Sequence, residues 1–143
     1  MKISIVNQQR LKRLNLKELD LTIKSIGKIL KISAKTMSLV VCDNNFIKDL
    51  NEKYFNKNTV TDVISFPLAD EFDKNDLGEI VVSLEEAVLK AKDYGNTWKE
   101  EFILYLIHGV LHLLGYKDSN LKNKKVMDKK QQEVLSLICK GKL

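Results

Sequence analysis

Cysteine is too scarce and too dispersed to hold this chain together. Only Cys42 and Cys139 occur among the 143 residues. They are far apart and neither belongs to a C-x-x-C pair, which argues against a disulfide framework and against a cysteine-built structural zinc site. They read as reduced thiols of a cytoplasmic protein. Long apolar runs are missing as well. The longest, Phe102 to Leu114, is too short to span a bilayer and is broken by two histidines, so no membrane association is expected. The first residues, Met1-Lys-Ile-Ser-Ile-Val-Asn, lack the design of a secretory signal. Internal repeats, low-complexity segments and linkers are also absent. Residues 1–143 therefore read as one domain with enough chain for a real core.

Histidine is equally scarce, but its two copies are concentrated. Both stand in His108-Gly-Val-Leu-His112-Leu-Leu-Gly115-Tyr-Lys-Asp118. A spacing of i, i+4 puts both imidazoles on one helix face, roughly 6 Å apart at Cβ, as helical metal sites require. The surrounding residues, Phe102, Ile103, Leu104, Leu106, Ile107, Val110, Leu111, Leu113 and Leu114, are apolar. The helix is expected to be buried, and buried imidazoles need partners. Core carbonyls or carboxylates are one answer and a metal ion is the other. Two features favour the metal. Gly115 suits a left-handed helix end, and Asp118 follows closely enough to fold back as a third ligand. With no third histidine in the chain, that ligand must be a carboxylate, a cysteine or water. Zinc proteases carry H-E-x-x-H, whose glutamate activates water. Here Gly109 holds that position, which disfavours peptide hydrolysis. Glycine there points to a close approach by substrate or backbone, or simply to tight helix packing.

The charge is uneven. From Lys117 onward eight lysines face three acids, so this tail carries the whole net charge of +5. A basic surface beside a metal site suits a phosphate-rich partner, although a solvated lysine face has the same composition. Lys122, Lys124, Lys125, Lys129 and Lys130 are the candidate RNA contacts. The tail has no interleaved aromatics, so base stacking is not expected there.

Apolar period and capping residues give the elements. Strands are expected at 2–6, 36–42, 61–68 and 78–82, with Pro67 near the end of the third. Asn15, Ser83 and Thr97 each precede an acidic residue at the third helical position, opening helices at 16–31, 84–94 and 98–114. Further helices are expected at 44–55 and 120–139, and an exposed acidic loop at 69–77. The fold class is α+β, a small mixed four-stranded sheet packed with about five helices. The metal site is expected at the end of the buried central helix.

The segment His108-Gly109-Val110-Leu111-His112-Leu113-Leu114-Gly115-Tyr116 resembles the signature of the YbeY family, H-G-x-L-H-L-x-G-Y-D-H. Leu50-Asn51, Thr61-Asp62-Val63-Ile64-Ser65-Phe66-Pro67 and Leu77-Gly78-Glu79-Ile80 resemble further family segments in the expected order, over residues 36 to 118. The resemblance implies a metal-dependent, single-strand-specific endoribonuclease that matures the 3′ end of small-subunit ribosomal RNA and serves ribosome quality control. Its partners would be single-stranded RNA, ribosomal RNA and the small ribosomal subunit. Its cofactor would be Zn2+, one per chain, or another divalent transition metal. His108, His112 and Asp118 would hold the metal, with His108 the residue most important for catalysis. Thr61, Asp62 and Ser65 would shape the cleft, or simply cap the strand and hydrogen-bond in the core.

Two positions depart from the pattern. Asp118 stands where the family has a third histidine. Aspartate also binds zinc, but it lowers the site charge from +2 to +1 and favours somewhat harder metals. Phe55 stands where an arginine is frequent, and only Lys53 and Lys57 are nearby cations. These departures keep two other classes in view. One is a non-catalytic ribosome-assembly factor with a structural metal. The other is a metallohydrolase of a small substrate, which would lack salt-sensitive RNA affinity.

Overall fold

The structure, a computed structural model, describes residues 1–68 and 74–140, with side chains in the last helix described as far as Ile138. The elements run β1 (Lys2–Asn7), α1 (Leu16–Ile29), β2 (Thr36–Cys42), α2 (Asn44–Phe55), β3 (Val63–Pro67), β4 (Asp76–Ser83), α3 (Leu84–Tyr94), α4 (Trp98–Leu113) and α5 (Leu121–Lys140). The sheet has the order β1-β2-β4-β3. β1, β2 and β4 are mutually parallel, and β3 lies antiparallel to β4 at the edge. This is the α+β architecture with a mixed four-stranded sheet expected from the pattern.

Two-residue alternation on the strands builds a layer on each face. Leu39, Val41, Ile80 and Val82 point into the larger core, where α1, α3, α4 and α5 contribute Ile23, Leu84, Leu106, Leu111 and Met127. Cys42, Ile64 and Val81 point the other way and are covered by Ile47 of α2. The sheet is therefore covered on both faces, as parallel strands require. α4 is the central helix. Phe102, Leu106, Ile107, Val110 and Leu111 are all buried.

Two expectations are corrected at the sheet edge. The third strand is shorter than 61–68, because the Asp62 side chain caps its start by accepting from the Val63 N–H at 2.7 Å. The fourth is longer than 78–82. Asp76 and Leu77, read as loop, belong to β4: Asp76 pairs with Thr36 of β2, and Leu77 O accepts from the Leu68 N–H just past β3 at 3.2 Å. Residues 69–73 of the expected acidic loop lie outside the described residues. Gly78 makes the join possible. It sits at φ 122°, and a Cβ there would fall 2.2 Å from the Phe66 carbonyl oxygen, a place only glycine can occupy.

Candidate metal centre

α4 is fixed at both ends. At its start Thr97 and Glu100 form a reciprocal capping box. At its finish Gly115 adopts φ 96°. Its N–H donates to His112 O and the Tyr116 N–H to Leu111 O, both at 3.0 Å. This is a Schellman ending. The chain reverses tightly and brings Tyr116 and Asp118 back beside the histidine face.

That reversal sets the chemistry of His112. Its Nδ1 lies 3.0 Å from the Tyr116 carbonyl oxygen. A carbonyl only accepts, so Nδ1 carries the proton and Nε2 keeps its lone pair. His108 is held in the same way from α5, its Nδ1 donating to Gln131 Oε1 at 2.8 Å. The two Nε2 atoms then face each other at 3.0 Å. Asp118 Oδ2 lies 3.4 Å from His112 Nε2 and 3.7 Å from His108 Nε2. All three ligand atoms fall within 4.8 Å of one another, and this is the one such group among the described residues. Two nitrogen lone pairs and a carboxylate oxygen converging without a donor between them repel unless a cation joins them. The donor set, imidazole nitrogens and one carboxylate oxygen, fits zinc and its neighbours. The His108 and His112 side chains are 26% and 28% exposed and Asp118 is 48% exposed, which leaves one side open to substrate.

Gly109 is explained by packing. A Cβ there would lie 3.0 Å from Ile80 Cγ2 and 3.1 Å from Val63 Cγ2, so glycine lets α4 settle onto β3 and β4. The same approach lets Ser65 Oγ donate to Gly109 O at 2.8 Å, tying the edge strand to the helix beside His108. Thr61 and Asp62 line a cleft of their own, of about 360 Å³, with Glu86, Lys90, Glu101 and Tyr105 at the earlier part of α4. Burial, reinforced by Glu101 and Asp62, pushes the Tyr105 hydroxyl well above its ordinary range, so it stays protonated.

Lys122, Lys124, Lys125 and Lys129 are exposed on α5, and Lys130 lies 3.7 Å from Glu133. Phe55 does not reach the histidines and stacks on Phe66 instead, at 6.1 Å between ring centroids. Lys53 sits over the Tyr54 ring, 5.3 Å from its centroid. Gln131 was missed in the sequence. Its signal was there: Met127, Val134 and Ile138 form a buried stripe, and Gln131 is the polar residue at the same helical spacing.

A covered mixed sheet, an edge strand tied to a central helix and a converging His-His-Asp group define the class: an α+β protein with a candidate metal-binding site on its central helix. The family model described as "Endoribonuclease YbeY" matches residues 1–138. Proteins named Endoribonuclease YbeY are similar to the chain. The one from Carboxydothermus hydrogenoformans is 42% identical over 105 residues, covering 73% of this chain and 73% of its own length. The one from Acholeplasma laidlawii is 38% identical over 119 residues, covering 83% and 85%. The solution structure of TM1509 from Thermotoga maritima superposes with a TM-score of 0.69 at 30% identity, over 95% of this chain and 88% of that one. The chain belongs to the YbeY family.

Proposed function

We propose that this chain is a metal-dependent endoribonuclease acting on single-stranded RNA, with His108, His112 and Asp118 holding one zinc or similar divalent ion. The observation that carries the reading is the donor geometry: two imidazoles whose Nδ1 protons are engaged by Gln131 and Tyr116 aim both Nε2 lone pairs and Asp118 at one point. Family membership supplies the substrate class. A metal at such a site polarises a phosphate oxygen and makes water a stronger nucleophile at neutral pH.

The protein's own groups do the rest. Gln131 and Tyr116 hold the imidazole tautomers and ring orientations. Asp118 contributes the one negative charge of the donor set. Gly109 offers no carboxylate on the face where zinc proteases keep their base, so the site lacks the protease arrangement. The exposed lysines of α5 draw the phosphate backbone toward the helix that also carries Gln131. His108 is the ligand whose loss is expected to cost most activity.

Within that reading the substrate is ribosomal RNA, the task is maturation of the small-subunit RNA 3′ end and ribosome quality control, and the compartment is the cytoplasm. No described helix is long and apolar enough to cross a membrane. The residues Phe55 and Asp118 favour a second reading, a ribosome-assembly factor whose metal is structural. Elemental mass spectrometry on untagged protein, with His112→Ala alongside, tests the metal site. About one transition metal per chain, lost in the variant, supports it. Well-folded protein without metal contradicts the site in both readings, whereas bound metal without RNA cleavage moves the assembly-factor reading ahead.

A further inference from the structure

The face of the sheet opposite the histidines carries a group of side chains that the proposed reaction leaves unused. The Tyr54 and Phe66 rings meet edge to face at 5.2 Å, and Phe55 lies nearly parallel to Phe66, at 22°. Tyr54 and Phe55 are about half exposed, at 56% and 48%. With Phe46 and Glu79, Tyr54 and Phe66 line a cleft of about 260 Å³. Glu79 is the direct cross-strand partner of Phe66. Its carboxylate is half-buried and has no ion-pair or hydrogen-bond partner among the described residues. Exposed aromatic rings around an unpaired acceptor need an occupant that is flat, apolar on its faces and a donor at its edge.

We propose that this cleft holds one unpaired base of the RNA substrate, with guanine preferred. The proposal rests on the endoribonuclease reading and adds a specificity site to it. Single-stranded RNA is read by bases splayed out, stacked on aromatic side chains and hydrogen-bonded along their pairing edges. The Glu79 carboxylate repels a phosphate but accepts from a base. Guanine presents two adjacent donors, N1–H and the N2 amino group, to its two oxygens. Adenine and cytosine present one amino group and uracil a single imino N–H. The position is consistent with one strand serving both sites. β3 is the edge strand, and neighbouring residues on it point to opposite faces. Ser65 reaches Gly109 beside His108, while Phe66 reaches the cleft. A nucleic acid strand crossing the edge at β3 would pass from the cleft toward the helix that carries the histidines. A protein partner offering a cationic side chain to Glu79 is the other class of occupant, and the binding test separates the two.

The test is fluorescence anisotropy with labelled single-stranded oligouridine carrying one central guanine, one adenine or neither. It is run on the full-length His108→Ala protein, which leaves the RNA intact. Added to that parent, Tyr54→Ala and Phe55→Ala are each expected to weaken binding of the guanine oligomer about 10-fold, within the range for loss of one stacked base, without changing the salt dependence. Phe55→Trp is expected to retain binding. Glu79→Gln is expected to erase the preference for guanine over adenine while leaving oligouridine affinity unchanged. Both alanine positions are half exposed, and matched thermal melts confirm the fold. Unchanged guanine-oligomer affinity in Tyr54→Ala/Phe55→Ala overturns the base site and leaves the cleft to a protein partner, with the endoribonuclease reading intact. Metal-loaded wild-type protein that neither binds nor cleaves any of the three RNAs overturns both.

Discussion

Asp118 is the residue on which the ligand set turns, because it stands where the family pattern has histidine and because its carboxylate closes the triangle with both Nε2 atoms. Asp118→Ala is expected to lower metal affinity about 10-fold or more, since a ligand matters at least as much as the groups that orient ligands. A competition titration against a chromogenic chelator reads this directly, and unchanged affinity removes Asp118 from the set. Gln131→Leu keeps the side-chain bulk but removes the acceptor for His108 Nδ1. It is expected to cost about 10-fold in metal affinity without lowering the melting temperature, whereas a purely packing role moves the melting temperature alone. The histidines and Asp118 were legible from spacing and from the helix-ending glycine. Gln131 was not picked out, because its partner is 23 residues away and only the packing of α5 on α4 brings them together. Asp62 accepts from the Val63 N–H, the strand-capping role that its motif position also allowed, and with Thr61 it lines the cleft beside Tyr105.

At the scale of elements, local signals and tertiary structure agree for most of the chain. Asn15, Ser83 and Thr97 each cap the helix they were expected to open. The sheet edge was harder to read. Asp76 and Leu77 look like loop in an acidic, polar stretch, and only the pairing of Asp76 with Thr36 and the Leu68 bond to Leu77 make them strand. That tertiary pairing overrides local composition. Gly78→Ala tests the join. The Cβ collides with the Phe66 carbonyl, so a loss of about 2 kcal/mol or more is expected in urea unfolding, in line with the roughly 1–3 kcal/mol cost of a strained backbone conformation. A change within about 0.5 kcal/mol, typical of neutral surface positions, contradicts the close β3–β4 approach. α5 carries its own prediction. If its exposed lysines meet phosphates, Lys124→Gln and Lys129→Gln should each flatten the log–log salt dependence of RNA binding by about 0.7. An unaltered slope reduces those lysines to a solvated helix face.

The whole molecule combines a nearly neutral body with a basic tail, a division already visible in the composition. Which way the tail faces was not, because side-chain direction depends on how α5 docks. Its buried stripe of Met127, Val134 and Ile138 leaves Lys122, Lys124, Lys125 and Lys129 in solvent. Burial also sets the response to alkali. Desolvation, with the nearby Asp43 carboxylate second, pushes the Cys42 thiol from 9.0 up to about 12. Between those values the unfolded chain releases the proton while the folded chain holds it. Stability should therefore be intact below pH 9 and fall as pH rises toward 12. Tyr105 shifts in the same direction and adds to the loss. Denaturant midpoints measured across that range should decline, and Cys42→Ala should decline less steeply. A flat profile contradicts a buried neutral thiol.

The measurement that goes straight to the function is cleavage of an end-labelled single-stranded RNA by metal-stripped protein as zinc is restored, with a duplex of the same sequence and His112→Ala as companions. Activity on the single strand should rise from zero to a plateau at about one equivalent of metal, in keeping with the single His-His-Asp group of the described residues. The duplex should resist and the variant should stay silent. Cleavage that ignores metal, or that survives in His112→Ala, contradicts a metal-dependent nuclease built on this helix.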